Sequence, residues 1–254
     1  MKALLKYLLC VFTFASLFLL QSCGCSTEKA GGYRIAIDPN WYPLNFAERD
    51  VYVLGFTEDL LLEISRLSNM RFEKMVVNWD TLYSGLKGGQ YDALLSALPP
   101  YQFNQAIYEF SQDFLGIAPV LLTEKAAKYQ SFGDLSGKMA GVLSDSPTIL
   151  LVQKYPDILI RTFNSYPEML EALEGGAIDA GVMERLSAVG YLNDNFYGRL
   201  KIAGSPLSDQ AIRLIVLKDK NEKLLRTFDQ ALSKLKKNKT YDKLLLKWGL
   251  SPLP

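Results

Sequence analysis

YRIAIDPNWYPLNF, residues 33–46, is the stretch that decides the fold. Residues 33–37 are mostly apolar and predict a strand, which ends at the turn-forming residues 38–40. The loop that follows carries three aromatic rings, on Trp41, Tyr42 and Phe46, close to the carboxylate of Asp38. Because ligands of open α/β sheets bind beyond the carboxyl ends of the strands, this loop is a predicted ligand-binding segment. The alternative is that the rings only cover the edge of the sheet.

Composition describes a globular protein without an obvious catalytic apparatus. The chain has 254 residues, of which 49% are hydrophobic and 12% aromatic, enough for one large or two medium domains. A formal net charge of +1 argues against nucleic-acid binding, which needs clustered Lys and Arg. There is no histidine, and all three cysteines precede residue 26. This excludes His-dependent triads, most zinc sites and thiol nucleophiles in the folded region, so we expect no cofactor and no metal ion.

The N-terminus has the organisation of an export signal. Two lysines form a charged region, and residues 8–20 form an apolar region too short to span a bilayer. Leu20-Gln21-Ser22-Cys23 resembles a bacterial lipobox, in which Cys23 is acylated and becomes the first residue of the mature protein. We therefore expect residues 1–22 to be a lipoprotein signal peptide and residues 23–32 to be a tether. Ordinary secretory cleavage nearby and an uncleaved anchor are the alternatives.

The rest of the chain alternates predicted strands and helices, which is typical of a parallel sheet covered by helices. The first series has strands at residues 33–37, 72–77 and 91–97, and helices from residue 55, capped by Thr57, and at residues 79–86. The second series has strands at residues 139–143, 159–163 and 178–183, and helices at residues 146–155, 166–173 and 184–192. A returning strand at residues 211–217 precedes two amphipathic helices at residues 222–236 and 240–248. Two small α/β lobes are therefore predicted.

The two series end alike. Residues 82–93, LYSGLKGGQYDA, parallel residues 169–180, MLEALEGGAIDA. In each segment a helix stops at a pair of glycines, and a strand begins near an Asp-Ala pair. We expect each glycine to take the left-handed conformation that ends a helix, and Asp92 and Asp179 to meet a helix end or a turn.

The order of motifs over residues 33–250 resembles that of the amino-acid-type (family 3) periplasmic substrate-binding proteins of ABC importers. The motifs are IAIDPNWYP (35–43), GFTEDL (55–60), WDTL (79–82), GGQYDA (88–93), FS (110–111), DLSGK (134–138), GGAIDA (175–180) and KTYDK (239–243), followed by Trp248. The resemblance implies a two-lobed α/β fold of the type II periplasmic-binding-protein class, with two crossing strands as a hinge.

Lobe boundaries follow from the same resemblance. Residues 114–122 and 211–217 would be the two crossings. The first lobe would comprise residues 33–117 and 212–254, and the second lobe residues 118–211. A ligand would bind between the lobes and be enclosed when the hinge closes.

The resemblance also implies the ligand-binding positions. Asp38 matches an acidic residue near the amine or side chain of the ligand, and Trp41 matches a ring that stacks on it. Ser146 matches a hydroxyl at a helix N-terminus, and Glu184 stands where an Asp usually pairs with the α-ammonium group. The expected ligand-binding residues are Asp38, Trp41, Tyr42, Phe46, Ser96, Ala97, Leu98, Asn104, Leu143, Ser146, Glu184 and Arg213.

Three positions depart from the family pattern. Asn104 replaces an Arg that holds the ligand α-carboxylate, and Pro99 replaces a Thr or Ser that assists it. Asp145 replaces a Gly and adds negative charge where a carboxylate would lie. The departures predict a ligand with an amine or other cationic group and without a standard free α-carboxylate. Arg213 is the candidate replacement for the missing Arg, and a solvent-facing or interlobe salt bridge is its alternative role.

The leading functional prediction is a lipid-anchored, monomeric receptor on the periplasmic face of a bacterial membrane. It would bind an amino-acid-like solute, peptide or polyamine and deliver it to an ABC permease, without enzymatic activity. One alternative is a lyase or dehydratase of the same fold, with Glu184 as a proton donor. Another is a surface interaction protein that has lost transport.

Overall fold

The computed structural model describes residues 32–41, 44, 46 and 49–251. The predicted signal peptide, most of the tether and the lipidation site Cys23 lie outside the described residues, as does the candidate ligand-binding residue Tyr42. From Tyr33 onward the chain forms one compact unit, which is built on two separate sheets.

The first sheet contains strands from both ends of this unit. They are β1 (Tyr33–Ile37), β2 (Phe72–Val76), β3 (Ala93–Ser96), β4 (Tyr108–Phe110), β5 (Leu115–Gly116) and β11 (Ala211–Leu217). The strand order is β2-β1-β3-β11-β4, and β5 also pairs with β11. β1 is parallel to β2 and β3, whereas β11 is antiparallel to β3, β4 and β5.

The second sheet repeats this arrangement. Its strands are β6 (Val120–Glu124), β7 (Met139–Leu143), β8 (Leu159–Phe163), β9 (Ala180–Met183) and β10 (Leu200–Ala203), in the order β10-β6-β9-β7-β8. β7 is parallel to β8 and β9, and β6 is antiparallel to β9. The order β8-β7-β9-β6 therefore has the same strand directions as β2-β1-β3-β11, as expected for two equivalent lobes.

Helices cover both faces of each sheet. The helices are α1 (Asp50–Ser68), α2 (Trp79–Lys87), α3 (Gln102–Gln105), α4 (Ile149–Val152), α5 (Tyr166–Glu174), α6 (Arg185–Asp194), α7 (Glu222–Lys237) and α8 (Thr240–Lys247). α1, α7 and α8 pack on one face of the first sheet and α2 on the other. On the second sheet, α5 and α6 pack on one face, and α4 with a 3₁₀ turn at Phe132–Leu135 pack on the other.

The chain passes between the sheets twice. It leaves the first sheet after β5 and enters the second at β6, so the predicted crossing at residues 114–122 is two strands rather than one. Pro119 lies between them and has no N–H to donate to a strand ladder. The chain returns between β10 and β11. The predicted residue limits of the lobes stay a prediction.

The first helix begins earlier than predicted. It starts at Asp50 and not at Gly55, because Val53 extends the buried stripe of Phe56 and Leu60 by one turn. Thr57 is therefore inside the helix and does not cap it. Its side chain is fully buried, and its hydroxyl donates a hydrogen bond of 2.8 Å to the carbonyl oxygen of Val53.

The internal repeat is present, but its parts act differently from the prediction. Only the second glycine of each pair is left-handed: φ is +72° at Gly89 and +70° at Gly176. The Asp92 backbone meets a helix start, since Asn221 Nδ2, just before α7, donates to its carbonyl oxygen at 3.0 Å, whereas both aspartate carboxylates bond strands. Oδ2 of Asp92 accepts a 2.9 Å hydrogen bond from the backbone N–H of Arg34 in β1, and Oδ2 of Asp179 accepts one of 2.9 Å from Met139 in β7. Each aspartate thus fixes the start of the neighbouring strand.

Candidate functional site

The loop after β1 is folded around the Asp38 carboxylate. Oδ1 of Asp38 accepts a hydrogen bond of 3.1 Å from the backbone N–H of Asn40, which is the turn that an Asp-Pro-Asn sequence favours. The backbone N–H of Trp41 donates to the Asp38 carbonyl oxygen at 3.0 Å, and Trp41 has a φ of +53°. Asp38 is buried directly beyond the carboxyl end of β1.

The Trp41 and Phe46 rings of this loop are buried. Trp41 is 3% exposed and Phe46 is 4% exposed, with ring centroids 6.4 Å apart. The buried cluster that contains them belongs mostly to the first lobe but also includes Leu186, near the start of α6 in the second lobe. Among the described residues, no acceptor bonds to the indole Nε1 of Trp41. The role of both rings in ligand stacking stays a prediction.

The segment after β3 is tied to helix α2. The hydroxyls of Ser96 and Tyr83 lie 2.7 Å apart, and the backbone N–H of Leu98 donates to Ser96 Oγ at 3.2 Å. Burial raises the pKa of the Tyr83 hydroxyl above its ordinary value, so it stays protonated. Ala97 and Leu98 are half-buried. Hydrogen bonds of Ser96 therefore hold the predicted cleft segment in place at the carboxyl end of β3.

The Asn104 side chain forms a hydrogen bond within its own loop. It lies in α3 and is 9% exposed, and its Nδ2 donates a 2.8 Å hydrogen bond to the Pro99 carbonyl oxygen. A neutral amide provides neither the charge nor the two-pronged geometry with which Arg binds a carboxylate. The side chain at this position thus closes a turn.

Arg213 braces the crossing segments. Its Nη2 lies 2.7 Å from Oδ1 of Asp113 and donates to the carbonyl oxygen of Asp209 at 2.9 Å. Asp113 precedes β5 and Asp209 precedes β11, so both partners lie beside the passages between the sheets. Arg213 is buried, and its backbone lies opposite Ser96 in the ladder. Arg213 thus forms a salt bridge within the predicted first lobe, with its own side chain buried, and a contact with ligand stays a prediction.

In the second lobe the structure brings two candidate residues together. Ser146 Oγ donates to Oε1 of Glu184 at 3.1 Å, and the Tyr166 hydroxyl donates to Oε2 of the same carboxylate. Ser146 Oγ also accepts a 3.2 Å hydrogen bond from the backbone N–H of Thr148. Glu184 directly precedes α6, at the carboxyl end of β9. Leu143 is half-buried at the carboxyl end of β7, on the same edge of the sheet.

Sequence reasoning missed Tyr166 and Tyr83. Tyr166 could have been found by extending the internal repeat three residues towards the N-terminus, where Trp79 and Tyr166 occupy equivalent positions. Each is the first residue of a nine-residue helix, α2 or α5. Tyr83 has no counterpart in the repeat, because Leu170 stands at the equivalent position.

In the described part of the chain, no helix is both long enough and apolar enough to span a membrane. A family model described as bacterial extracellular solute-binding proteins, family 3, matches residues 33–251. A probable histidine-binding protein of Neisseria gonorrhoeae is 24% identical over 247 residues, covering 92% of this chain and 91% of that protein. An arginine-binding extracellular protein of Bacillus subtilis is 23% identical over 250 residues, covering 96% and 97%.

Solved structures give the same fold. The L-cystine solute receptor of Neisseria gonorrhoeae, in an unliganded open conformation, aligns with a TM-score of 0.68 at 19% identity, over 86% of this chain and 93% of that one. Substrate-binding domain 2 of GlnP from Lactococcus lactis, also in an open conformation, aligns with a TM-score of 0.63 at 20% identity, over 87% and 97%. The predicted type II, two-lobed fold class is confirmed.

Proposed function

Because the chain belongs to the family 3 bacterial extracellular solute-binding proteins, we propose that it is a lipid-anchored receptor for a small amine-bearing solute. The family supplies the general activity: these proteins are receptors that bind a small molecule for an ABC permease. The lipid anchor, the monomeric state and the solute class are our additions.

The main support for the proposed solute class is the uncharged Asn104 side chain and its hydrogen bond. The side chain at the position of the family's carboxylate-binding Arg is uncharged and donates to the Pro99 carbonyl oxygen at 2.8 Å. The acidic residues of the two strand ends, Asp38 and Glu184, remain. A cleft edge with acids and without this guanidinium favours a cation over a zwitterion. Amines, polyamines and peptides with a displaced carboxylate all meet this requirement.

Arg213 is the remaining candidate for a carboxylate contact. Its guanidinium lies 2.7 Å from the Asp113 carboxylate, which competes with any ligand carboxylate for the same charge. A ligand would have to displace or share this partner. The competition supports an amine without an α-carboxylate as the preferred solute.

Calorimetric titration with matched pairs tests the solute class. The pairs are L-histidine with histamine and L-arginine with agmatine, in which only the α-carboxylate differs. We expect the decarboxylated member of a pair to bind at least as tightly as the amino acid. Tight binding of the free amino acid that persists in Arg213→Ala, with no binding of its decarboxylated partner, would contradict the proposal.

The anchor is tested separately at Cys23. We expect the protein expressed in a bacterium that processes lipoproteins to incorporate labelled palmitate and to fractionate with membranes. Cys23→Ser should lose both properties, and Cys25→Ser should retain membrane association. Release of the mature protein into the soluble periplasmic fraction without label would show ordinary secretory cleavage instead.

A further inference from the structure

Glu184 is held at both of its oxygens within the second lobe. Ser146 donates to Oε1 and Tyr166 donates to Oε2. The Ser146 hydroxyl is itself oriented, since its Oγ lies 2.9 Å from Thr148 Oγ1 and accepts the Thr148 backbone N–H. Two hydroxyl donors suit an ionised carboxylate, which only accepts hydrogen bonds. Charge-assisted hydrogen bonds of this kind are stronger than those between neutral groups.

The Tyr166 ring is fixed by its surroundings. It is the first residue of α5, and Ser165 caps that helix by accepting the Glu168 backbone N–H at 3.4 Å. The ring packs against the second-lobe core and meets the Tyr191 ring of α6 in an edge-to-face contact, with centroids 6.1 Å apart. A hydroxyl on so constrained a ring has little freedom to follow a moving partner. The carboxylate must adjust to the ring.

We propose that Tyr166 is a positioning residue, which fixes the orientation of the Glu184 carboxylate and thereby sets the affinity of the cleft for a cationic group. The inference rests on the proposed function, because it needs Glu184 to face the amine of the ligand. Glu184 is only half-buried, so the residue is not sealed inside the second lobe. Tyr166 does not contact the ligand in this arrangement; it acts through Glu184.

Two variants distinguish positioning of the Glu184 carboxylate by Tyr166 from simple packing of the Tyr166 ring. Tyr166→Phe keeps the ring, its packing on the core and its contact with Tyr191, and removes the hydroxyl, which donates to Oε2 and also contacts the Glu184 backbone. Tyr191→Phe is the matched control, because it removes a hydroxyl from the adjacent ring without touching the described bonds of Glu184. Stability measured by urea unfolding should be similar in the two variants.

Binding is measured by calorimetry with histamine and agmatine as probes, alongside L-histidine and L-arginine. We expect Tyr166→Phe to lower the affinity for the tightest-binding probe about tenfold. Glu184→Gln should lower it about a hundredfold, and Tyr191→Phe less than about twofold. An unchanged affinity in Tyr166→Phe, with a large loss in Glu184→Gln, overturns this inference and leaves the proposed function intact. Wild-type protein that binds none of the four probes, and neither spermidine nor a short peptide, overturns the proposed function and the inference with it.

A second readout needs no ligand. Burial and then the bond to Glu184 raise the pKa of Tyr166, with Tyr191 as a further neighbour that opposes ionisation. Carbon-13 labelling of the tyrosine ring carbon that bears the hydroxyl reports on this bond by NMR at neutral pH, and the Tyr166 signal is assigned by its loss in Tyr166→Phe. We expect the chemical shift of this carbon to change in Glu184→Gln, because the hydroxyl then faces a neutral amide and no longer a carboxylate. A chemical shift that is the same in both proteins shows that the hydroxyl and the carboxylate are not coupled, which also overturns the inference.

Discussion

Arg49 and Asp194 form an ion pair between the lobes, with Nη2 of Arg49 2.6 Å from Oδ2 of Asp194. Arg49 precedes α1 of the first lobe, and Asp194 ends α6 of the second. The Arg49 side chain is only 15% exposed, and its Nη1 donates to the Gly249 carbonyl oxygen at 3.5 Å. Beside it, Asn193 Nδ2 donates to the Ser251 carbonyl oxygen at 3.0 Å. The end of α6 is thus bound to the first lobe at a point separate from the Glu184 end.

We expect loss of this ion pair to favour the open conformation. Asp194→Ala removes the charge that faces a mostly buried guanidinium, and a pair of this kind contributes about 1 kcal/mol, or roughly fivefold in the closed-to-open ratio. Small-angle X-ray scattering without added ligand should give a larger radius of gyration. Glu222→Ala is the control, since Glu222 pairs with Arg226 within a single helix at 2.8 Å. Identical scattering from Asp194→Ala and the wild type would show that the pair does not control closure.

Gly190 provides an independent test of the same contact. A methyl group at Gly190 would lie 2.3–2.5 Å from the guanidinium of Arg49, which Asp194 and Gly249 hold in place. Gly190→Ala should therefore favour the open form while raising the helix propensity of α6 by about 1 kcal/mol. The expected result is a larger radius of gyration without loss of thermal stability. An unchanged radius would mean that Arg49 rearranges without cost.

Local patterns predicted most of the strands and helices, because each depends on spacing within a few residues. The strand β1 and the second strand of each lobe begin at the predicted residues, and the return strand β11 has the predicted limits. The short elements β4, α3 and β10 were missed, since three or four residues carry no measurable periodicity.

The sequence predicted less of the candidate site than of the strands and helices. Ser146 and Glu184 were selected from the resemblance, and the structure joins them by a hydrogen bond. The Tyr166 hydroxyl bonds Glu184 from 18 residues away in the sequence, and no motif indicates this bond. The ion pair between Arg213 and Asp113 joins the two crossing segments, which are far apart in the sequence. The burial of Trp41 depends on packing between distant residues. Contacts of this range are set by the tertiary fold.

The first and last helices pack through a glycine. A methyl group at Gly55 would lie 2.2–2.6 Å from carbons of the Trp248 ring, which is held by a 2.8 Å bond from its Nε1 to Asp59. We expect Gly55→Ala to destabilise the protein by about 1–2 kcal/mol, as overpacking exceeds the gain in helix propensity. Urea unfolding measures the change. Gly133→Ala, where the added methyl group would lie 3.5 Å from Ser131 Oγ, should be nearly neutral. Equal effects at both sites would contradict the packing argument.

The repeated aspartates offer a paired prediction. Asp92 and Asp179 each bond the backbone of the adjacent first strand, but the Asp92 side chain is 7% exposed and that of Asp179 is 31% exposed. We expect Asp92→Ala to reduce the free energy of unfolding by about 2 kcal/mol and Asp179→Ala by about 1 kcal/mol, because water replaces the bond of the less exposed Asp92 carboxylate less easily. Urea unfolding of both variants checks the order. A larger loss at Asp179 would show that exposure does not set the difference.

Asp59 gives the stability a dependence on pH. The bond from Lys247 Nζ, at 2.6 Å, is the main cause that lowers the pKa of Asp59, and the bond from Trp248 acts in the same direction. A carboxyl with a lower pKa in the folded state stabilises the protein above its unfolded-state pKa, and this contribution is lost as the pH falls through the folded-state pKa. We expect Asp59→Asn to lower the free energy of unfolding by up to about 1 kcal/mol at neutral pH. The difference from wild type should shrink in acid, because the wild-type carboxyl then becomes neutral as well. Asp242→Asn, in an exposed pair with Lys239, is the control for general charge effects. A difference at Asp59 that is constant with pH would assign the effect to the shape of the side chain and not to its charge.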